Sequence, residues 1–422
     1  AFVVTENSIS LITAGLKYLD RLQKFEINIT DCLYDGYLEK DQLILPKNLI
    51  KYQLSVDKAH SLATLKRVLG FWLGETHNAI QHLNLIIDNL PSIVQEEPQI
   101  FDSKETLLLD DMIKYPNLKG LEVTLACTLP IKIETLQHLR FLKALRLSLY
   151  PCTILGHEEH RLNFFFPSSI KTAYMEQIGL QANKNTNYEK ILLPIKNEEN
   201  HYQDLQNITV VKSRLEEKTW KYFSLVNLQE LRLEMCELNL TALRLLLLCD
   251  QLCSLKALSL ADSSFPGQER FTPTLISSIA ESPISKNLEE LNLRKMNLSD
   301  NFFVKNKRQN FVGLPRLRIL YLNDNTQLKK KGIMEFFKMN FTNIVDLGLG
   351  NVGINFDELK EICDSHSQML KFLKILRIRL PLDENMPLSS IQFFNSCFKK
   401  IDADRMIGSD FYFKQQLREA LT

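Results

Sequence analysis

Apolar residues recur along this chain in triplets, in which the second stands three places after the first and the third stands two places later. Thirteen copies follow one another at intervals of 23 to 38 residues, and the last six are the most regular, at 27 to 33. Because alternate residues of a strand face opposite sides, each copy predicts one short strand whose last two apolar residues enter a core shared with its neighbours. The copies begin at Leu22, Leu49, Ile80, Leu118, Leu142, Ile170, Leu205, Leu228, Leu255, Leu288, Leu317, Ile344 and Leu373.

The segments between the triplets carry helical signals. In "FDELKEICDSHSQMLKFL", Phe356, Leu359 and Ile362 recur at helical spacing, and "TPTLISSIAES" opens with Thr272 and Pro273 ahead of an apolar face. A unit of strand, loop and helix cannot bury its apolar side alone, so the copies are predicted to stack as a solenoid. Such an array presents a long surface, which favours binding over catalysis as a first hypothesis.

Four triplets, "LQELRL", "LKALSL", "LEELNL" and "LRILYL", match the pattern L-x-x-L-x-L as they stand. In this the chain resembles the leucine-rich repeat family, and its long intervals resemble the ribonuclease-inhibitor-like and F-box-associated branch. The resemblance implies an α/β horseshoe of about 13 repeats, with a parallel sheet on the concave face and helices on the convex face. We expect an N-terminal cap over residues 1–21, repeats over residues 22–397 and a C-terminal cap over residues 398–422.

The residue that follows each triplet departs from the family pattern. The family places an Asn or a Cys there, and Cys236 and Asn325 come near that position. Other copies offer Ser263, Asn297 or Val352 instead. This departure leaves the subfamily open.

Charge and hydropathy exclude some classes of partner. Lys and Arg number 51 against 50 Asp and Glu, a net charge of +1, so the chain lacks the basic excess of a general nucleic-acid or membrane-surface binder. No stretch of the sequence reaches the roughly eighteen apolar residues that cross a bilayer. We expect a protein partner on the concave face and no membrane partner, and the sequence disfavours nucleic acid. The oligomeric state stays open.

The eight cysteines are scattered, and contexts such as "LLLLCDQLCSL" predict reduced, buried thiols, with Cys249 and Cys253 as core filler. The first residues have no basic n-region and are interrupted by Glu6 and Asn7, unlike a secretory signal. The chain also begins without Met, so we expect that an N-terminal part has been processed or left out. These features favour an intracellular protein, cytoplasmic or nuclear. Five N-x-S/T sequons keep an extracellular location open: Asn28, Asn207, Asn239, Asn297 and Asn340.

The concave face should carry the third, fifth and seventh residues of each copy. These include seven acidic residues, Glu26, Glu122, Glu176, Glu230, Glu234, Glu290 and Asp346. They also include seven basic residues, Lys24, Lys51, Arg146, Arg232, Arg294, Arg377 and Arg379. A mixed surface suits a protein partner, and aromatic residues beside arginines are typical of a binding hot spot. Our candidate binding residues are Tyr321, Arg294, Arg377 and Arg379, with Tyr174 and Arg232 as a second choice.

Two motifs suggest chemistry and are better explained by the repeats. "GLGNVG", with Gly348, Gly350 and Gly353, matches the dinucleotide-binding pattern between a strand and a helix, yet every repeat has that context. We instead expect Gly348 and Gly350 to leave a flat, side-chain-free patch that admits a bulky partner group. "HEEH", from His157 to His160, lacks a third metal ligand. We therefore expect a non-enzymatic protein with no catalytic residues, no cofactor and no metal.

Two basic clusters follow the strands of adjacent repeats. They consist of Lys305, Lys307 and Arg308, and of Lys329, Lys330 and Lys331. Stacking could join them into a rim patch for an acidic segment or for phosphates. We favour solvated loop charge, because no aromatic residues are interleaved with them.

Several functions remain open. The first is an adaptor that captures a protein, since the repeats resemble those of F-box-type substrate receptors of ubiquitin ligases. The Leu-Pro opening of an F-box is not visible in the sequence, so the resemblance covers the repeats alone. The alternatives are a ligand-sensing or regulatory repeat region of a larger receptor or GTPase regulator, and a scaffold in a nucleoprotein complex.

Overall fold

The fold is described here from a computed structural model, and it comprises two compact units. Unit 1 contains residues 1–214 and 221–224, and unit 2 contains residues 215–220 and 225–422. The structure describes residues 6–29, 43–57, 62–73, 77–89, 107–109, 112–127, 131–132, 136, 138–149, 169–177, 204–215, 227–248, 250–265, 274–300, 314–337, 343–365 and 375–379.

Unit 1 is built on seven strands that pair in parallel, each with the next along the chain. They are β1 (Lys24–Ile29), β2 (Lys51–Asp57), β3 (His82–Asn89), β4 (Gly120–Cys127), β5 (Ala144–Leu149), β6 (Thr172–Gln177) and β7 (Asn207–Val211). Two short strands, Leu107–Leu108 and Ile131–Lys132, form a separate parallel pair. Corresponding triplet residues are directly opposite one another, as Leu83 and Leu121 are in β3 and β4.

Unit 2 repeats the same arrangement with six parallel strands. They are β8 (Glu230–Glu234), β9 (Ala257–Ser259), β10 (Glu290–Asn292), β11 (Ile319–Tyr321), β12 (Asp346–Gly350) and β13 (Ile375–Arg379). Two-residue strands also occur at Arg214–Leu215 and Glu237–Leu238. Leu258, Leu291, Leu320 and Leu347 form one continuous row across β9 to β12.

The second residue of every predicted apolar triplet lies on one of these thirteen strands. This includes the less regular copies, where Leu49, Ile80 and Ile170 are each fully buried. The second and third triplet residues alternate with residues on the other side of the sheet, which we call the open face. The predicted α/β fold with one parallel strand per repeat is therefore confirmed.

The first helix precedes β1, and the other helices lie in segments that connect the strands. The helices are α1 (Glu6–Leu16), α2 (Leu62–Leu73), α3 (Leu240–Leu247), α4 (Thr274–Glu281), α5 (Lys330–Phe337) and α6 (Phe356–Ser365), with 3-10 turns at Asp250–Ser254 and Pro283–Lys286. The helices predicted in "TPTLISSIAES" and "FDELKEICDS" are present as α4 and α6. In unit 1 the buried Trp72 of α2 packs against Phe25, with ring centroids 6.4 Å apart, and its carbonyl accepts the Tyr52 hydroxyl at 3.2 Å.

The predicted caps remain predictions. Helix α1 lies within the predicted N-terminal cap, residues 1–21, and the structure does not test where the cap ends. The predicted C-terminal cap, residues 398–422, lies outside the described residues.

The chain leaves each strand of the later repeats through a left-handed residue. Lys212, Met235, Asp262, Lys295, Asp324 and Asn351 all have φ between 53° and 62°, and each stands two places after the last triplet residue. Some backbone N–H and C=O groups of such a turn face the interior, and buried backbone groups need hydrogen-bond partners. In two repeats the partner is a polar side chain from the next repeat.

Asn325 supplies the most complete of these connections. Its side chain is fully buried, and its Oδ1 accepts the backbone N–H groups of Met296 and Leu298 at 2.9 and 3.0 Å. Its Nδ2 donates to the carbonyls of Leu293 and Leu322 at 2.9 and 2.8 Å. Asn325 therefore ties its own turn to the turn of the preceding repeat.

Ser263 makes the same kind of connection between two earlier repeats. Its hydroxyl accepts the N–H of Cys236 at 3.0 Å and donates to the carbonyl of Leu233 at 2.8 Å. Cys236, Ser263, Asn325 and Val352 thus all occupy the predicted position. Asn297 does not, since the buried residue there is Met296 while Asn297 is exposed in a left-handed conformation.

The prediction that Cys253 is core filler is wrong. Cys236 is buried, whereas the Cys253 thiol side chain is exposed. The two neighbouring leucines Leu245 and Leu248 are also about half exposed, at 48% and 54%. The apolar run around them is only partly core, because α3 ends at Leu247 and turns one side to solvent.

Asp300 connects two repeats at the start of α5. Its Oδ1 accepts the backbone N–H groups of Lys329 and Gly332 at 2.7 and 3.0 Å. A side chain at Gly332 would collide with Asp300, since a Cβ there would come within 2.7 Å of the same oxygen. We expect Asp300→Ala to lower the free energy of unfolding by about 1 to 2 kcal/mol, because a helix N-terminus loses its acceptor. Urea unfolding measures the change.

Glu361→Ala is the matched control for this prediction. Glu361 is an exposed carboxylate that pairs with Lys330 on α5, and exposed pairs contribute roughly 0 to 1 kcal/mol. Equal losses in the two variants would contradict a capping role for Asp300.

Candidate protein-binding surface

In unit 2 the open face presents two rows of side chains across the strands. The first row contains Glu230, Ala257, Glu290, Ile319 and Asp346, in register from β8 to β12. The second row contains Arg232, Ser259, Asn292, Tyr321, Gly348 and, on β13, Arg377. The structure therefore brings Arg232, Tyr321 and Arg377 into one row.

Arg232 is bound by three carboxylates. It pairs with Glu230 on its own strand, with Glu290 at 3.2 Å and with Glu234 at 3.9 Å. The contact with Glu290 crosses over β9, where the row offers only the small, buried Ser259. Partial burial opposes ionisation, but the hydrogen bond that Arg232 donates to Glu230 and the surrounding negative charges raise the pKa of Arg232 above its usual range. Arg232 is thus held on the face.

Tyr321 is half-buried, and its hydroxyl donates to Oδ2 of Asp346 at 2.9 Å. Its register partner on the neighbouring strand β12 is Gly348. The predicted flat patch is wrong at Gly348, because the Asn323 amide and the Tyr321 ring occupy the space where a Cβ would lie. The glycine accommodates these two side chains and leaves no vacancy for a partner group there.

Arg294 extends the same surface. Arg294 follows β10, is 61% exposed, and its Nε donates to Oδ2 of Asp324 at 2.7 Å. Partial burial raises the pKa of Asp324, but the hydrogen bonds from Arg294 and Asn351 outweigh it and lower the pKa. Arg377 and Arg379 lie opposite Gly348 and Gly350 on β13.

Tyr174 belongs to unit 1 and forms a separate cluster on that unit's open face. The guanidinium of Arg146 lies 4.2 Å from the centre of the Tyr174 ring, a cation–π contact. The Tyr174 hydroxyl donates to Glu176 at 3.0 Å, and Lys212 donates to the same carboxylate at 3.0 Å. Burial opposes ionisation of Glu176, but these two hydrogen bonds outweigh it and lower its pKa.

Unit 1 also has a hollow that its sequence did not predict. It has a volume of about 470 Å³ and lies on the open face of β1 to β6. Two adjacent residues in its lining, Gly120 and Ala144, carry little or no side chain. Its polar lining includes Lys24, Glu26, Lys51, Gln53, His82, Asn84, Glu122, Arg146, Thr172 and Tyr174. The two small residues at outward positions were the available signal in the sequence.

His82 stands at the edge of this hollow and covers Gly120, where a Cβ would come within 2.6 Å of its Nδ1. Partial burial and then the positive charges of Lys51 and Lys119 lower the pKa of His82, against the opposing effect of Glu122. The imidazole is therefore held neutral to lower pH than an isolated histidine.

We expect NMR titration of the His82 ring to give a midpoint below the ordinary value of about 6.5. Lys51→Ala should raise this midpoint, because it removes one repelling charge, whereas Lys256→Ala in unit 2 should leave it unchanged. The unfolded imidazole takes up its proton at higher pH than the folded one. Stability should therefore fall as pH drops from about 6.5 toward the folded-state pKa. A midpoint above the ordinary value would contradict this.

The other motifs add little to this surface. Lys330 pairs with Glu361, and Lys329 and Lys331 are exposed at the start of α5. Lys305, Lys307, Arg308, and the "HEEH" segment from His157 to His160, lie outside the described residues.

The described part of the chain shows no group of three or more His, Cys, Asp or Glu side chains that could hold a metal ion, and no helix in it is long and apolar enough to span a membrane.

"GLGNVG" does precede a helix, but that helix start is already capped. Asn355 and Glu358 exchange hydrogen bonds at 2.9 Å, each backbone N–H donating to the other's side chain. A pyrophosphate at this end of α6 would face Asp357 and Glu358. Gly353 is explained by stacking, since a Cβ there would come within 2.6 Å of the Thr326 carbonyl oxygen.

Three observations identify the fold. Each repeat contributes a parallel strand, the leucines are buried in register, and the Asn325 side chain joins consecutive turns. The chain therefore has a leucine-rich repeat fold. Each of the thirteen strands contains the second residue of one triplet. The assignment to a particular branch of the leucine-rich repeat family stays a prediction.

No protein-family model and no curated protein matches this chain. Among solved structures it is similar to the yeast Rad7 and Elc1 complex, with 15% identity, a TM-score of 0.30 and coverage of 62% of this chain and 74% of that one. It is also similar to a leucine-rich repeat protein of Leptospira interrogans, with 15% identity, a TM-score of 0.36 and coverage of 94% and 98%. Likenesses this distant carry no argument about function.

Proposed function

We propose that this leucine-rich repeat protein is a non-enzymatic protein-interaction module that captures a protein partner on the open face of its sheet. The supporting observation is the chemistry of that face. Carboxylates and a guanidinium group lie in contact there, as in the cluster of Arg232, Glu230 and Glu290. A surface of both signs offers complementary contacts to a folded protein or a peptide.

Tyr321, Arg294, Arg377 and Arg379 are our proposed contacts in unit 2, with Arg232 beside them. Tyr174 is the proposed contact in unit 1. Aromatic and arginine side chains held by neighbours lose little freedom on binding, which favours them as anchors. Tyr321 is held by Asp346 and Arg294 by Asp324, so both are positioned before a partner arrives.

The proposal is tested by affinity capture from cell extract with quantitative mass spectrometry. Tyr321→Ala and Arg377→Glu on the open face are each expected to reduce capture of the same partner by about tenfold or more. Lys329→Glu combined with Lys331→Glu is the control, because these exposed lysines lie at the start of a helix. Loss of capture in the lysine control alone would show that the open face is not the binding surface. Tyr321→Phe separates the ring from the hydroxyl contact.

The finer hypothesis is that the protein is a substrate receptor of a ubiquitin ligase. It rests on the repeat resemblance described above, and a ligase scaffold among the captured proteins is the result it requires. Capture of a small GTPase, or of a nucleoprotein complex, would support the regulatory or scaffold alternative instead.

A further inference from the structure

Basic side chains line the edge of unit 1 at which its strands begin. Lys24, Lys51 and His82 are the first residues of β1, β2 and β3 and lie in register. Three exposed lysines directly precede β4, β5 and β6: Lys119, Lys143 and Lys171. We call these six residues the basic edge.

The basic edge is continuous from strand to strand. The backbone N–H of Lys143 donates to the Lys119 carbonyl at 2.8 Å, and that of Lys171 donates to the Lys143 carbonyl at 2.8 Å. Neighbouring strands lie about 4.8 Å apart, so these lysines form a row of closely spaced positive charges. Lys51, Lys143 and Lys171 make no ion pair with another described residue. Within the described part of the chain, no carboxylate neutralises these three charges.

The basic edge adjoins the part of the hollow that is formed by β4 to β6. Gly120 and Ala144 are the first residues of β4 and β5, and Thr172 follows in the same row. All three line the hollow. His82 covers Gly120, but the small side chains of Ala144 and Thr172 would let an extended main chain lie close to the sheet beside Lys143 and Lys171.

The second row of the hollow has the opposite charge at two positions. Glu26 and Glu122 lie one row inward and are exposed, and Glu26 pairs with Lys24 at 2.6 Å. These carboxylates would repel a strand of uniform negative charge. They tolerate a peptide whose acidic side chains point to the edge and whose other side chains point inward.

The aromatic side chains of the hollow also disfavour nucleic acid. Single-stranded nucleic acid is usually held by bases stacked on open aromatic faces. One face of the Tyr174 ring is covered by Arg146, and Phe25 is stacked on Tyr52 with centroids 5.9 Å apart. The hollow therefore suits a peptide better than stacked bases.

We propose that the basic edge of unit 1 binds an acidic segment of the partner protein, which lies extended across β1 to β6 with its carboxylates against the lysines. This deepens the proposed function, since it rests on the open face being the partner surface. Five spacings of about 4.8 Å give roughly 24 Å, the length of about seven extended residues. Binding should weaken as salt rises, because exposed charges are screened.

The test is fluorescence anisotropy with a labelled peptide of alternating glutamate and serine. We expect the double variant Lys143→Glu with Lys171→Glu to weaken binding by about tenfold or more, since it replaces two attractions with two repulsions. The matched control is Lys256→Glu with Arg318→Glu. These exposed residues hold the equivalent place before β9 and β11 of unit 2, and the charge change is identical. The control should bind within about twofold of the native protein.

In the peptide assay, three results would overturn the inference: failure of the native protein to bind the acidic peptide, equal weakening in both double variants, or tighter binding of a labelled oligouridine that the Lys143 and Lys171 reversals abolish. Urea unfolding of both double variants checks that they remain folded. If Tyr321→Ala abolishes partner capture while the basic-edge reversal leaves it intact, the inference fails and the proposed function stands. If no open-face variant affects capture, the proposed function itself fails.

Discussion

Replacing Asn325 with alanine is expected to lower the free energy of unfolding by about 3 to 5 kcal/mol. The amide is fully buried and hydrogen-bonds to two N–H groups and two carbonyls of consecutive turns. Alanine would leave all four backbone groups buried without a partner, and each such group costs about 1 to 3 kcal/mol before the turns relax. Urea unfolding followed by circular dichroism measures the loss.

The control for Asn325 is Asn351→Gly in the next repeat. Asn351 is exposed, makes one side-chain hydrogen bond to Asp324 at 3.3 Å, and has φ of 56°, which glycine adopts without strain. We expect a change below about 1 kcal/mol. Comparable losses in the two variants would show that Asn325 does not connect the repeats in the way described.

The second large effect is expected for Leu291→Ala, at about 2 to 5 kcal/mol. Leu291 is fully buried in β10, between Leu258 of β9 and Leu320 of β11. Its removal leaves a cavity in the row of leucines that joins three repeats, and the flanking strands cannot close it without losing register. Urea unfolding again measures the change.

Leu245→Ala is the same substitution on α3 at a side chain that is 48% exposed. It should cost less than about 1 kcal/mol, because little apolar area returns to water and alanine suits a helix. A loss at Leu245 as large as that at Leu291 would contradict the assignment of inward and outward positions.

The strands were predictable because the triplets encode their own register. An apolar residue at every second place fixes which side faces the core, and this held even where Ala173 replaces a leucine. Helix α6 was predictable from its apolar spacing. The Asp300 contact with α5 was not, since it joins residues of two different repeats.

The surface was only partly predictable. The sequence placed Arg232 and Tyr321 on the face, but not their partners, because Glu290 lies 58 residues from Arg232 and Asp346 lies 25 from Tyr321. Asn297 was assigned one place too far along, since the left-handed backbone at Lys295 turns Met296 inward. The hollow of unit 1 depends on small residues of β4 and β5 lying side by side, which only the strand pairing reveals.

Site-specific photocrosslinking in cell extract tests most directly whether partners bind the open face of the sheet. A photoreactive residue would be placed at Asn292 on the open face or at Leu245 on the helix side. We expect the captured partner to crosslink from position 292 and not from position 245. Crosslinks to that partner from position 245 alone would contradict it.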